Sequence, residues 1–461
     1  MKTLKLLIQL GIGTLILSII GLYNGYPLVY SDTGTYLYSG FDLFVPVDRP
    51  IVYGLLIRFF SFKYSAWFII LFQNILTAFI LYEVLKSFYF ETIRLNRLYL
   101  TILLFLTLFT GIGWYSNQLM PDFFAPILIL TIYLFIAKDK MSFLSKIALS
   151  IILIISSITH FSHLIIGLAI IFTIILIRLI FRKQLEQLPL KRLLLAAAVL
   201  LSSWVVLPTV NYLVEKQFIL SKGSHVFMMA SLDEKGILKH FLDDNCSSPD
   251  FQSCKLCQLK DSLPDNIDKF IWWENSIVNK TGGWEKSKDE YNKIIKAIHK
   301  RPKYLLSNIF QSTCYGLVQL TKNKIGEGLS AYNEGSAPYG QIRWRFPYEL
   351  NNYLNSRQNK WNGANLKLDT LNTIHLLILI VSLFLIIWLF SSPLLRKLNF
   401  NSLFFLVFVM LSIVINSFVT AGLSSPYDRY QTRVVWLLPL ALIVVLVKNY
   451  KLIAKGIKDK C

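Results

Sequence analysis

The sequence is short of charge. Only 16% of its 461 residues are Asp, Glu, Lys or Arg, against roughly 25% in water-soluble domains, which excludes an ordinary soluble enzyme. The signatures of several common chemistries are missing too. There is no GxxxxGK[ST], HExxH, GxSxG or strand-linked GxGxxG, so ATP-driven transport, zinc proteolysis and serine hydrolysis lack their minimum apparatus. No internal repeat, low-complexity tract or long linker interrupts the chain, and cysteines number only five. What is abundant is apolar: 54% of residues, 14% aromatic, with a mean hydropathy of +0.51.

Nearly uncharged runs recur at 5–22, 64–85, 98–114, 121–137, 144–159, 162–180, 193–212, 371–390, 402–420 and 434–448. Most approach the roughly 20 residues that a helix needs to cross a bilayer, predicting an all-α polytopic membrane protein of about ten transmembrane helices. The stretch 144–180 reads either as two short spans broken at His160-Phe161-Ser162-His163 or as one helix and a re-entrant piece.

The formal charge of +20 follows this topology. Lys2, Lys5, Lys86, Arg94, Arg97, Lys138, Lys140, Lys146, Arg178, Arg182, Lys183, Lys191, Arg192, Arg396, Lys397 and the tail lysines from Lys448 to Lys460 fall on one side. The short loops opposite hold only Arg49, Arg58, Lys63, Arg429 and Arg433. The positive-inside rule then places both termini in the cytoplasm of a cell inner membrane. The excess is an orientation signal with affinity for anionic membrane lipids, and nucleic acid is not needed as a partner. No small-x-small cleavage site follows the first run, which is expected to stay as an anchor.

Three regions result. Residues 1–212 form a membrane module with a long first outer loop at 23–63. Residues 213–370 form a polar, mainly helical outer (periplasmic) domain. Residues 371–461 supply the last membrane helices and a basic tail. Trp284, Tyr291, Ile294, Ile295 and Ile298 recur at helical spacing, and Phe310, Leu317, Val318 and Leu320 imply that this domain rests on the membrane. Cys246, Cys254, Cys257 and Cys314 fall within it, which suggests one or two disulfides; a zinc site at the CxxC pair and reduced thiols are the alternatives.

The first outer loop carries Ser31-Asp32-Thr33 and then Asp48-Arg49-Pro50. An acid close to a membrane helix is costly unless paired, solvated or used. Asp32 can cap a short helix or act chemically, and Asp48-Arg49 can be a local ion pair or a substrate contact. Asp122 follows Pro121 in Asn117-Gln118-Leu119-Met120-Pro121-Asp122, where it suits a helix N-terminus or a site. The topology gathers Asp32, Asp48 and Asp122 on one face with Arg49, Arg58, Arg429 and Arg433.

Arg429 and Arg433, four apart, can snorkel to headgroups or grip one diphosphate. His160 and His163 can serve a helix end or contact substrate; two imidazoles are too few for a metal. Trp272, Trp273 and Trp284 suit a domain core or sugar stacking, and Arg343-Trp344-Arg345-Phe346 a lid or a membrane-facing surface. This collection fits glycosyl transfer from a lipid-phosphate sugar, in which arginines stabilise the departing phosphate and a carboxylate takes the acceptor proton.

An acid just after the first span, a long first outer loop, a second acid at the next outer turn, many spans and a large late outer domain together resemble the GT-C superfamily of membrane glycosyltransferases. That group includes the protein O-mannosyltransferases, the aminoarabinose-lipid A transferases and the catalytic subunits of oligosaccharyltransferase. The resemblance covers architecture over most of the chain and motifs at roughly 29–54 and 117–124. It implies Asp32 as the catalytic acid and Asp122 as a further one. It also implies a polyprenyl-phosphate-linked donor and an envelope glycan, lipid or protein acceptor. Ser31-Asp32-Thr33 departs from the family's common Asp-Glu pair, which leaves a divalent metal open without indicating one. A glycan polymerase or ligase, or a transporter or flippase of lipid-linked substrate, is the alternative. Transporters show repeated halves and midplane charges, neither of which is visible here.

Overall fold

The computed structural model describes residues 2–88, 92–138, 141–183, 185–360 and 366–458; Lys140, Lys460 and Cys461 lie outside them. Among the described residues the chain is helical, and one isolated bridge joins Leu28 to Gln118. In the first region α1 (Lys2–Asn24), α2 (Thr33–Asp42), α3 (Val52–Phe60), α4 (Trp67–Lys86), α5 (Thr92–Phe109), α6 (Ile112–Ser116), α7 (Phe124–Ala137), α8 (Phe143–Ile158), α9 (Phe161–Ile180) and α10 (Leu190–Glu215) follow in order. Next come α11 (Ser224–Glu234), α12 (Ile237–Asn245), α13 (Lys255–Leu259), α14 (Ile267–Ile271), α15 (Ile277–Lys280), α16 (Gly283–Lys286), α17 (Lys288–Lys300), α18 (Pro302–Thr321), α19 (Ala337–Arg345) and α20 (Leu350–Leu354). The chain ends with α21 (Leu368–Ser391), α22 (Phe400–Leu423), α23 (Asp428–Val435), α24 (Leu437–Lys448) and α25 (Tyr450–Lys458).

Among the described residues seven helical segments are long and apolar enough to cross a membrane: Leu4–Asn24, Trp67–Lys86, Phe161–Ile180, Leu190–Glu215, Leu368–Ser391, Phe400–Leu423 and Asp428–Lys448. Pro121–Ala137 and Phe143–Ile158 are shorter apolar helices among them. The run expected at 98–114 is divided. Its helix α5 begins at Thr92 and stops at Phe109, and Gly111 precedes the separate α6. The stretch 144–180 is two helices, with His160 capping the second.

The centre of the bundle is α7. Every residue from Phe124 to Ile136 is buried, as expected of a helix that is apolar all round. It packs against α4, α8, α9, α10 and α22. The polar groups around the turn before Asp122 are paired, since an unsatisfied one is costly in the bundle. Tyr53 donates to Gln73 Oε1 at 2.7 Å, and Gln73 donates to the carbonyls of Ser116 and Gln118. Asn117 donates to the carbonyls of Leu17 and Gly113. These bonds fix the turn that precedes Asp122.

The loop at 23–63 folds into α2 and α3, which cross at Gly40 and Gly54. A Cβ on Gly40 would stand 2.0 Å from the Gly54 carbonyl oxygen, so only glycine lets these backbones touch. The Leu28 amide donates to the Asn117 carbonyl (2.9 Å) and the Leu119 amide to the Leu28 carbonyl (2.8 Å). This short ladder ties the start of the loop to the turn that holds Asp122.

The segment 213–370 splits between two cores. Residues 226–304 build their own around Phe241, Phe270, Tyr291, Ile294 and Ile298, with α17 burying the periodic face read from the sequence. Residues 325–359 instead join the membrane module, where Ile342, Phe346 and Tyr353 share its core. Gln358 pairs with both backbone groups of Val29, and Arg345 with Asp42 at 2.6 Å. Of the one or two disulfides expected among the four cysteines of this segment, the structure has one, and two of the four candidates are not in it. Cys246 and Cys257 form a disulfide, but Cys254 and Cys314 are free. Cys254 is buried in the outer core, and Cys314 lies on α18.

Candidate functional site

Asp32 immediately precedes α2, yet its side chain makes no capping hydrogen bond. Thr33 does the local work instead: its hydroxyl accepts from the Tyr30 amide and donates to the Leu119 carbonyl. The Asp32 carboxylate is thereby free to face two guanidiniums. Arg49 Nη2 lies 3.2 Å from Oδ1, and Arg429 Nη1 lies 3.5 Å from Oδ2. Asp32 is about a quarter exposed, whereas the two arginine side chains are largely covered. Burial alone would raise the Asp32 pKa, but Arg49 and then Arg429 outweigh it and hold the carboxyl below its usual value.

Each arginine is held by its own support. Arg49 forks onto Asp48, with Nε at 2.9 Å from Oδ2, and its guanidinium lies 5.0 Å from the centre of the Tyr36 ring. Arg429 sits between the rings of Tyr30 and Tyr430, at 4.7 and 4.9 Å. Its ion pair with Asp32 is long, and its buried Nε has no hydrogen-bond partner. Its Nη2 donates to the Tyr430 hydroxyl at 3.1 Å, and of the two guanidiniums that face Asp32 it has more bonding capacity to spare than Arg49.

Asp122 is placed differently. It pairs with Arg433 at 2.9 Å, with both side chains almost fully buried. Arg433 also reaches Asn416 Oδ1 at 3.4 Å. This is a bolt between the 3-10 turn Pro121–Phe123 and α23. Asp122 and Arg433 adjoin the Asp32 cluster through Tyr430, over whose ring Arg433 also lies, at 5.1 Å.

Arg58 is not part of the cluster. Its guanidinium binds the Phe41 and Gly40 carbonyls at the C-terminus of α2, where a cation complements the helix dipole. His160 accepts from the Ser162 amide as the N-cap of α9. Burial and then the charges of Arg433, Arg429 and Arg49 push its pKa well down, so it is neutral and within their field. His163 turns Nδ1 to the Ser156 carbonyl at 3.0 Å and leaves a buried Nε2 without a partner.

One acid at the site escaped the sequence reading. Glu327 Oε2 accepts from the Arg429 amide at 2.6 Å. Burial raises its pKa against the pull of that bond and of the Arg429 charge. It lies between Gly326 and Gly328, both at positive φ, and a Cβ on Gly328 would meet the Tyr30 ring at 1.7 Å. The signal available in the sequence was the Gly-Glu-Gly pattern itself, a positive-φ bend that carries a lone acid.

No family model, curated protein or solved structure matches this chain. Its chemistry is therefore argued from geometry. Among the described residues no group of three or more His, Cys, Asp or Glu is arranged to hold a metal ion. The void beside Glu327, lined by Trp114, Tyr115, Gln118, Ile325 and Leu329, is about 10 Å³, the room of one water. The cluster can present arginine N–H groups to an anion and, once Arg429 has turned from Asp32 to that anion, a more basic carboxylate.

Proposed function

We propose that this chain is a GT-C-like glycosyltransferase. It would move a sugar from a polyprenyl-phosphate donor to an envelope acceptor on the outer face of an inner membrane, with about ten spans and both termini cytoplasmic. The observation that carries this reading is Asp32, a partly exposed carboxylate held between Arg49 and Arg429, with Arg429 bound loosely and under-used.

Binding and catalysis are linked in this scheme. The donor phosphate takes the Arg429 guanidinium, for which it is the better bidentate partner. Asp32 loses a cationic neighbour, so its basicity rises. The acceptor hydroxyl then gives its proton to Asp32 while its oxygen bonds to the sugar's anomeric carbon. The bond from that carbon to the phosphate oxygen breaks, and the electron pair leaves on the phosphate, stabilised by Arg429. Asp48 holds Arg49 in place, Arg433 and Asp122 fix α23, and Glu327 positions the Arg429 backbone.

The test uses the full-length protein in bilayer discs, a radiolabelled polyprenyl-phosphate hexose and an envelope extract as acceptor. Release of polyprenyl phosphate is measured. Asp32→Asn should reduce it by at least about a hundredfold, the usual size of a general-base effect, with the melting temperature and polyprenyl phosphate binding preserved. Wild-type release by that variant overturns the proposal.

A further inference from the structure

A second cationic feature lies at the far end of α5. Arg94, Arg97, Leu98 and Thr101 recur at three- and four-residue spacing and so share one helix face. With Ile93 and Val447 they line an open cavity of about 530 Å³. Both arginines are exposed, and Arg94 lies 5.2 Å from the centre of the Tyr450 ring. Among the described residues neither has a carboxylate partner. At 1.5 Å per residue, the helical paths from Arg97 to Phe109 and from Arg433 to Val447 are each about 20 Å long. The cavity is thus separated from the Asp32 cluster by most of a hydrocarbon core, which is about 30 Å thick.

We propose that this cavity binds one acidic glycerophospholipid from the leaflet opposite the Asp32 cluster. Arg94 and Arg97 hold the phosphodiester, Thr101 donates a hydrogen bond to it, and an acyl chain lies over Leu98 and Val447. The chemistry is complementary on both counts. Paired guanidiniums at the membrane boundary attract an anionic headgroup. The apolar walls, with Ile93 73% exposed, are covered by a lipid but not by a free phosphate. The site does not depend on the activity proposed for Asp32.

The experiment compares full-length protein in discs of phosphatidylcholine alone, of phosphatidylcholine with phosphatidylglycerol, and of phosphatidylcholine with inorganic phosphate in the buffer. Lipid retention is read by native mass spectrometry and stability by melting. The wild type should keep one phosphatidylglycerol and melt higher with it than without. The pair Arg94→Gln and Arg97→Gln should weaken retention by about thirtyfold, the effect of two cations at an anionic surface, and melt like wild type in phosphatidylcholine. Val447→Trp, which puts a bulky ring where the acyl chain would lie while keeping both arginines, should also lose the lipid and keeps the test decisive if the double variant does not fold. Equal retention by wild type and Val447→Trp overturns the proposal, as does stabilisation by inorganic phosphate equal to that by lipid.

Discussion

Arg429 and Arg433, one turn apart on α23, divide two loop acids between them: Arg429 faces Asp32 at 3.5 Å, and Arg433 grips Asp122 at 2.9 Å. The first pair is long and partly open to solvent, whereas the second is short and almost wholly buried. The same two residue types therefore have opposite physical standing. A loose, accessible pair can exchange its partner for a ligand. A sealed one can only break.

That difference predicts which acid is structural. Removing one member of a buried ion pair leaves an uncompensated charge and costs about 3–5 kcal/mol. Arg433→Met should therefore lower the melting temperature sharply, and Asp122→Leu combined with Arg433→Met should recover much of the loss. Asp32→Asn should change stability far less. Melting in detergent checks the order, and equal losses for Asp32→Asn and Arg433→Met would contradict it.

The crossing of α2 and α3 makes a second prediction. Gly54→Ala places its Cβ 2.5 Å from the Tyr36 carbonyl oxygen, and Gly40→Ala meets Gly54 backbone at 2.0 Å. Backbone cannot yield as a side-chain tip can, so each should cost about 1–3 kcal/mol or more and displace Arg49 from Asp32. Gly340→Ala, with nothing within 4 Å, is the control and should melt like wild type.

How much of this was legible beforehand follows from the range of the forces. Apolar runs and the face of α17 could be read because they depend on local periodicity. The break at Thr110-Gly111 was missed because the apolar run continues through it. Asp32 and Arg429 are 397 positions apart, and only the packed bundle brings them together. Shared outer-face placement pointed to the neighbourhood but could not separate Arg429 from Arg58, which spends its guanidinium on carbonyls of α2. Nor could spacing tell which of four outer cysteines would meet.

The thiols offer a chemical check. In a Cys461→Ser background, unreduced and fully denatured protein should take up two maleimides, at Cys254 and Cys314, and four after reduction. Cys257→Ser should cost about 3 kcal/mol by releasing the small loop that its bridge closes, while Cys314→Ser should be close to neutral. Uptake of no maleimide before reduction would contradict free thiols at Cys254 and Cys314, and uptake of four would contradict the disulfide.

The separate core at 226–304 carries a pH dependence of definite sign. Burial, then the charges of Glu234 and Asp265, raise Asp233 to about 8, and its buried Oδ2 lacks a partner. Below the unfolded value of about 4 both states hold the proton. Between about 4 and 8 only the folded state does, so stability falls as pH rises, and above 8 the dependence flattens. Asp233→Asn should remove that slope. A melting series from pH 4 to 8 in which both proteins have the same slope would refute the assignment.

The proposed link between phosphate binding and Asp32 basicity predicts the pH profiles of the proposed reaction. In the free protein the two arginines hold the Asp32 carboxyl below its usual range, so the acid limb of kcat/KM, which reports the free enzyme, should lie below about pH 4. On the proposed mechanism the donor phosphate competes for Arg429, and the carboxylate keeps Arg49 as its remaining cationic partner. The acid limb of kcat, which reports the complex, should then lie at higher pH. Arg429→Gln removes that cation in both states, so it should raise the kcat/KM limb and narrow the separation. The expected order comes from a ligand that is itself an anion. A neutral substrate would leave Arg429 on Asp32 and the two limbs together, so coincident limbs in the wild type would refute phosphate capture by Arg429 even if Asp32→Asn were inactive.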